Sequence, residues 1–436
     1  MMESFKSLLL AVLVAASLAQ SYLLAYSAPN FDAILPSDDY VESRLEGTQA
    51  ELSALVFPKD IVLHFGNGEH TVLYPKMIFY NMILEVVEQR TFDGLRDAAG
   101  IGEAGAAGAE EAQGIEVRFA EEVSMAVLRQ RMNLKGDGLN EAEPIDRIHI
   151  YTQPEREDVR VFFVGSRSGA VYEATRADLT VKDVERFVGF GEARTRYAPL
   201  PGGHYLPTQP LPMVQYRVPY RRFTADQLQR SLFPDPFSTR NLTERNGSEI
   251  YTDGKRGLQL SYDQRWLSYT DPAAPAEGEQ TPLESALAAV QFVNRHGGWN
   301  GDYLLESVNQ DPNGQERRVQ FRHYVGTYPG AYPIVGTRDG TPFGPIQLTL
   351  RNRVVTGYER STVQLETGSA ERTPMELPGG ERLLALWNAF EEKGLVESVY
   401  PAYRANLSED DVVLEPVWAM TMTDGTVRAL PGGGAY

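Results

Sequence analysis

From Ser7 to Phe31 the chain carries no charged residue, and Leu8 to Ala28 forms one apolar run. A bilayer core ~30 Å thick is crossed by about 20 residues at the helical rise, so this stretch is long enough to span. Lys6 precedes it, and Asp32, Asp38 and Asp39 follow. That bias predicts a cytoplasmic tail over 1–6, a transmembrane helix over 7–28 and the rest of the chain outside the membrane. A cleaved secretory signal is the competing reading, with Lys6 as the basic region and Ser17-Leu18-Ala19 or Ala25-Tyr26-Ser27 as the cleavage site. The run continues through Leu23 and Leu24, past the ~7–15 apolar residues of a usual signal, which favours the anchor. Either way the folded part is exported.

Within the run, Ser7, Ala11, Ala15 and Ala19 recur every four residues. A helix carries them on one face of little bulk, where a second backbone can approach closely enough for dispersion contacts to hold it. These four are a candidate partner-helix interface, although alanine is common in any spanning segment. Gln20 and Ser21 can add interhelical hydrogen bonds, and Tyr22 and Tyr26 suit the outer membrane interface.

The whole chain has 436 residues, with 41 Lys and Arg against 59 Asp and Glu, a formal charge of −18. That length suggests two to four folded units. The acidic balance argues against nucleic acid, whose phosphates are held by clustered Lys and Arg. With no cysteine, disulfides, thiolate nucleophiles, Cys-ligated zinc and iron–sulfur clusters are excluded.

Past a linker at Pro29–Pro36, residues 61–65 and 71–74 flank Gly66-Asn67-Gly68-Glu69 and read as a hairpin. Met77 to Arg90 has a helical pattern through Ile78, Met82, Leu84 and Val86. Residues 98–114 are almost wholly Ala, Gly and Glu and read as a flexible loop. The loop holds Gly100-Ile101-Gly102-Glu103-Ala104-Gly105, a G-x-G-x-x-G string without the strand and helix that a dinucleotide fingerprint needs, so we score it as chance.

Strands are expected at 145–151, 159–164 and 171–173, then a helix over 178–190. A Pro- and Gly-rich stretch from Pro199 to Pro219 marks a change of domain. Thr224 with Gln227 forms a capping box ahead of Leu228 and Leu232. A hairpin at 249–252 and 258–262 turns through Asp253-Gly254. Thr281, Pro282 and Glu284 open another helix, with Leu287, Val290 and Val293 on its apolar side and His296-Gly297-Gly298 at its end. His296 is expected to favour the negative end of the helix dipole, and Gly297 to take the left-handed cap. Strands follow at 303–308, 318–325, 346–350 and 354–360. A helix over 381–393 is expected to bury Leu384, Trp387 and Phe390, and a last hairpin over 412–423 and 426–430 turns at Asp424-Gly425. Hairpin-linked strands with occasional helices predict antiparallel α+β units: an N-terminal extracytoplasmic domain over 29–204, a central one over 205–279 and a C-terminal one over 280–436.

Candidate chemistry is thin. His64 and His70 flank the first turn with Glu69 beside them, but a zinc site needs a third ligand, and no H-x-x-x-H or H-E-x-x-H spacing exists. Gly165-Ser166-Arg167-Ser168-Gly169 puts Arg where a G-x-S-x-G elbow needs Ser. The sequons at Asn241, Asn246 and Asn406 mark surface loops. Arg217, Arg221 and Arg222 form the densest basic cluster, a solvated face or a dock for an acidic surface. No catalytic residue, cofactor-binding residue or metal ligand is predicted.

Several strings nonetheless carry a resemblance. Ser4-Phe5-Lys6-Ser7-Leu8, Ile61-Val62-Leu63-His64-Phe65-Gly66, His70-Thr71-Val72-Leu73-Tyr74-Pro75, Tyr251-Thr252-Asp253-Gly254, Phe292-Val293-Asn294-Arg295-His296-Gly297-Gly298-Trp299, Phe321-Arg322-His323-Tyr324-Val325-Gly326 and Leu414-Glu415-Pro416-Val417-Trp418-Ala419 occur in order. They are similar to the YycH family, accessory proteins of the WalK sensor kinase in low-GC Gram-positive bacteria. Gly301-Asp302-Tyr303 and the later strands also resemble the sister family YycI. The resemblance covers nearly the whole chain, and the 98–114 insert departs from it. It implies a single N-terminal membrane helix, an extracytoplasmic domain array without known chemistry, and partnership with WalK and a YycI-like protein in the control of cell-wall metabolism. The expected function is therefore a membrane-anchored, non-catalytic regulator of a two-component sensor kinase. An exported module that binds wall glycan or a small ligand, tethered by its helix, is the alternative. A wall hydrolase would require a concave site with a converging acid and base.

Overall fold

The computed structural model describes residues 6, 45, 47–98, 112–136, 141–153, 157–273 and 280–436. The chain divides into two compact units, 1–40 and 41–436. The expected membrane helix over 7–28, with Ser7, Ala11, Ala15 and Ala19, lies outside the described residues, as does the 100–105 glycine string. Among the described residues no helix is long and apolar enough to cross a membrane.

The second unit is α+β and dominated by sheet. Ten strands make the first sheet: β1 (Asp60–Phe65), β2 (His70–Leu73), β3 (Thr91–Asp97), β4 (Gln113–Ser124), β5 (Asn133–Leu134), β6 (Pro144–Gln153), β7 (Asp158–Val164), β8 (Val171–Ala177), β9 (Tyr197–Leu200) and β10 (His204–Pro207). Their spatial order is β10-β9-β2-β1-β4-β6-β7-β8-β3-β5. Successive side chains on a strand point to opposite faces, and here both faces are buried. Ile61, Leu63, Ile115, Val117, Ile148 and Ile150 share one core with Ile83 and Val87 of helix α1 (Ile78–Gln89) and with Val184 and Phe187 of α2 (Val181–Gly189). Val62, Val72 and Tyr74, on the other face, join a second core with Tyr332, Ile334, Tyr403 and Trp418. Each such fully buried side chain contributes roughly 1.5–3 kcal/mol.

At Pro207 to Leu211 the chain leaves the first sheet for a second, of fifteen strands, through β11 (Leu211–Arg222). One part of that sheet is an antiparallel run from Arg240–Thr243 through Glu249–Thr252, Gly257–Ser261, Trp266–Thr270, Val354–Ser361 and Pro345–Arg351 to Arg317–Val325, on which Asp302–Gln310 also pairs. Tyr332–Thr337 links this run, by a parallel pairing, to Val396–Leu407, Asp411–Met422 and β11. Strands of 205–279 and of 280–436 thus share one sheet. Pro212 and Pro219 sit within β11, each with a strand partner on one side only, which a residue without an N–H tolerates.

Capping boxes start three of the described helices. Thr180 with Asp183 opens α2, Thr224 with Gln227 opens α3 (Ala225–Leu232), and Thr281 with Glu284 opens α4 (Pro282–Arg295). Two helices bury a different stripe from the expected one. On α1 the buried residues are Tyr80, Ile83, Leu84 and Val87, whereas Ile78 and Met82 are 66% and 44% exposed. On α5 (Gly380–Ala389) Leu383 and Trp387 are buried and Leu384 is 42% exposed. Both helices have apolar residues on two adjoining stripes, and the position of the sheet selects one. Leu287 is likewise exposed, and Ala286, Ala289, Val290 and Val293 bury α4.

Candidate functional site

Where the chain enters the second unit, it is fastened to the end of α4. Thr48 and Trp299 exchange backbone hydrogen bonds, Asn294 Oδ1 accepts from the Ala50 N–H and the Trp299 indole, and the Asn294 amide donates to the Ala50 carbonyl. The α4 carbonyls are closed by a Schellman bond from Gly298 N–H to Val293 O, with Gly297 and Gly298 at positive φ. His296 does not serve the dipole as expected: burial pushes its pKa down to about 4, so it is neutral there. The cation is Arg360, 1% exposed, which donates to Gly298 O, Asn300 Oδ1 and the Tyr358 hydroxyl, while that hydroxyl donates to His296 O.

A second polar cluster lies on the face of the first sheet that meets the C-terminal half. Alternation sends Asp60, Val62 and His64 of β1, Glu116 and Arg118 of β4, and Arg147 and His149 of β6 to that face, in register as Asp60–Arg118, His64–His70, Glu116–His149 and Arg118–Arg147. The expected meeting of His64 and His70 across the hairpin is present, Nδ1 to Nδ1 at 2.8 Å. Burial drives His64 down to about 3, against the pull of Glu116, and lowers His70 and His149 as well. Burial pulls Glu116 upward, but Arg118, His149 and Arg147 together outweigh it and hold the carboxyl at about 2. Asp60 grips Arg118 by two hydrogen bonds of 2.6 and 2.9 Å. Sequence reasoning missed Glu116, Arg118 and His149 because they are adjacent only through strand register. Among the described residues no group of three His, Asp or Glu side chains is placed to hold a metal.

Beside this cluster a cleft of about 290 Å³ opens between the sheets, lined by Lys59 and Asp60, by Glu121 of β4, and by side chains of Asp302–Gln310, Arg317–Val325, Tyr332–Thr337 and Val396–Leu407. The two sheets are tied at and beside it. Arg167 pairs with Glu397, Asn309 donates to Glu121 at 3.2 Å, and Lys76 meets Asp302 at 3.3 Å. The Gly165–Gly169 turn therefore joins the sheets, with the Ser166 hydroxyl donating to Asp146. Ser231 Oγ lies 3.3 Å from His296 Nδ1, but both residues are buried, out of reach of a substrate. The Arg217, Arg221 and Arg222 cluster is engaged, by Asp411, Glu366 and the Asp263 carbonyl in turn.

Two family models match the chain: the N-terminal domain of the YycH protein over residues 3–188 and its C-terminal domain over 203–430. A curated relative from Bacillus subtilis (strain 168), the two-component system WalR/WalK regulatory protein YycH, is 21% identical over 96% of this chain and 94% of its own. The crystal structure of YycH from Bacillus subtilis superposes with a TM-score of 0.71 at 17% identity, covering 89% of this chain and 99% of that one. The fold is shared over that 89% of this chain. With both domain models matched in order over most of its length, the chain belongs to the YycH family.

Proposed function

We propose that this chain is a non-catalytic regulator of a WalK-type sensor kinase, anchored by a transmembrane helix over 7–28 with its bulk outside the cell, and acting together with a YycI-like protein. The observation that carries this reading is the ordered match to both halves of a family whose curated relative is named a WalR/WalK regulatory protein. A kinase balanced between two states is moved by any partner that packs differently against them, and only the difference counts. Interhelical contacts in bilayers are worth about 0.6–2 kcal/mol each, so a few of them bias such a balance several-fold. The Ser7, Ala11, Ala15 and Ala19 face is the surface we assign to the partner helix. The fastening of residues 47–50 to α4 supports a role for the exterior, since it ties the chain that follows the anchor to the second sheet.

The test is kinase output in cells carrying the full chain, the isolated helix, or a chain with its helix exchanged for an unrelated one. Loss of regulation on helix exchange is expected, and Ala15→Leu is expected to weaken co-purification with the kinase while the exterior stays folded. Regulation that survives helix exchange overturns the helix contact.

A further inference from the structure

The lining of the cleft carries four carboxylates, Asp60, Glu121, Glu306 and Asp424, and three cations, Lys59, Arg318 and Arg322. Its acids are engaged: Asp60 with Arg118, Glu306 with Arg322 at 2.8 Å and Gln320 at 2.6 Å, Glu121 with Asn309, and Asp424 with the Thr426 N–H and hydroxyl. Two of its cations, the Lys59 ammonium and the Arg318 guanidinium, have no hydrogen-bond or ion-pair partner among the described residues, in a chain of net charge −18. Lys59 also lines the smaller recess that continues toward Arg118 and His204, so it stands where the two spaces meet. Burial lowers the Lys59 pKa, and an anion beside it would restore the charged form.

The walls give the shape of the occupant. Tyr74, Tyr324 and Tyr400, with Pro333 and Pro401, offer flat apolar faces, and the Ser307 and Ser398 hydroxyls offer neutral hydrogen-bonding edges. An aromatic acid fits the faces but leaves those edges unpaired, which weakens binding. A sugar ring satisfies both, through its C–H face and its hydroxyls. The volume, near the lower end of the ~300–1,000 Å³ of small-molecule sites, suits one or two rings. Lysine and arginine side chains take either a carboxylate or a phosphate, and no helix N-terminus lines the cleft to favour the phosphate.

We propose that the cleft between the two sheets is a binding site for a small acidic saccharide, its carboxylate on Lys59 and Arg318 and its ring against the tyrosines. This does not rest on the kinase reading, and either can fail alone. The experiment is calorimetric titration of the full chain in detergent with sodium glucuronate, glucose, sodium benzoate and sodium phosphate. Saturable glucuronate binding at one site is expected, with glucose and benzoate at least about ten-fold weaker. Lys59→Met is expected to reduce glucuronate affinity about ten-fold, to the level of glucose, and Ser398→Trp to abolish binding by filling the cleft, with thermal melting as the control for folding. Arg318→Gln, on the exposed rim, carries the charge test if Lys59→Met does not fold, with an expected loss of about three-fold or more. Absence of saturable glucuronate binding, its persistence in Ser398→Trp, or tighter binding of benzoate or phosphate would each overturn the assignment.

Discussion

Thr48 and Trp299 hold each other by two reciprocal backbone hydrogen bonds of 2.9 Å, and the Thr48 hydroxyl donates a third to the Trp299 carbonyl, across 251 residues of sequence. The contact is close because both chains carry glycine there. A Cβ on Gly47 would stand 2.0 Å from the Gly297 carbonyl oxygen, and one on Gly298 would stand 2.6 Å from the Gly47 carbonyl carbon, with Gly298 at φ +62°.

Gly298→Ala and Gly47→Ala are therefore expected to undock residues 47–50, with a loss of roughly 1–3 kcal/mol. Faster hydrogen exchange at the Thr48 and Trp299 amides and earlier proteolysis near residue 48 are the readouts. Exchange rates equal to those of the parent chain would contradict the fastening.

Arg360→Leu removes the group that serves the end of α4 and leaves Gly298 O and Asn300 Oδ1 without this donor. The expected loss is about 2–4 kcal/mol in urea unfolding, since the buried Gly298 carbonyl, stripped of its partner, incurs its desolvation cost in full, while Asn300 Oδ1 keeps the Tyr303 hydroxyl. A midpoint that does not move shows that water replaces the guanidinium.

Asp60→Asn breaks a buried ion pair and leaves Arg118 with Glu116, beside Lys59 and Arg147. A loss of about 3–5 kcal/mol is expected. The double variant Asp60→Leu with Arg118→Met is expected to be more stable than Asp60→Asn, because it removes the buried guanidinium that has lost its two-bond partner. A double variant less stable than the single one argues that packing, not charge, sets the cost.

Acid should unfold the protein early. All six histidines are buried, and burial lowers every one from its ordinary 6.5: His64 and His323 to about 3, His204 and His296 to about 4, and His70 and His149 in the same direction. Between those values and 6.5 the unfolded chain binds protons that the folded chain refuses, so stability falls as pH falls. Each such histidine contributes up to about 1.4 kcal/mol per pH unit. Glu116, held at about 2, adds the same sign below its ordinary 4.5. Urea midpoints at pH 7.5, 6 and 5 should decline steeply below 6.5, and a flat profile to pH 5 would refute the burial of neutral histidine.

Short-range chemistry was legible in the sequence. The capping boxes at Thr224 and Thr281, the His64–His70 hairpin and the Asp424-Gly425 turn depend on atoms within a few residues, whose reach the backbone fixes. The strings that carry the family resemblance were legible for the same reason, since they are runs of adjacent residues. Strands β3, β4, β11 and Val396–Leu407 were not anticipated. β4 is apolar toward one core and charged toward a buried cluster, and β11 contains two prolines, so neither reads as a half-exposed strand. The choice of Leu383 over Leu384, of Arg360 over His296 at the end of α4, and of Glu116 as the centre of four histidine- and arginine-bearing strands came only with the tertiary structure. Burial is decided by which surface arrives from far along the chain, and local spacing holds no record of that surface.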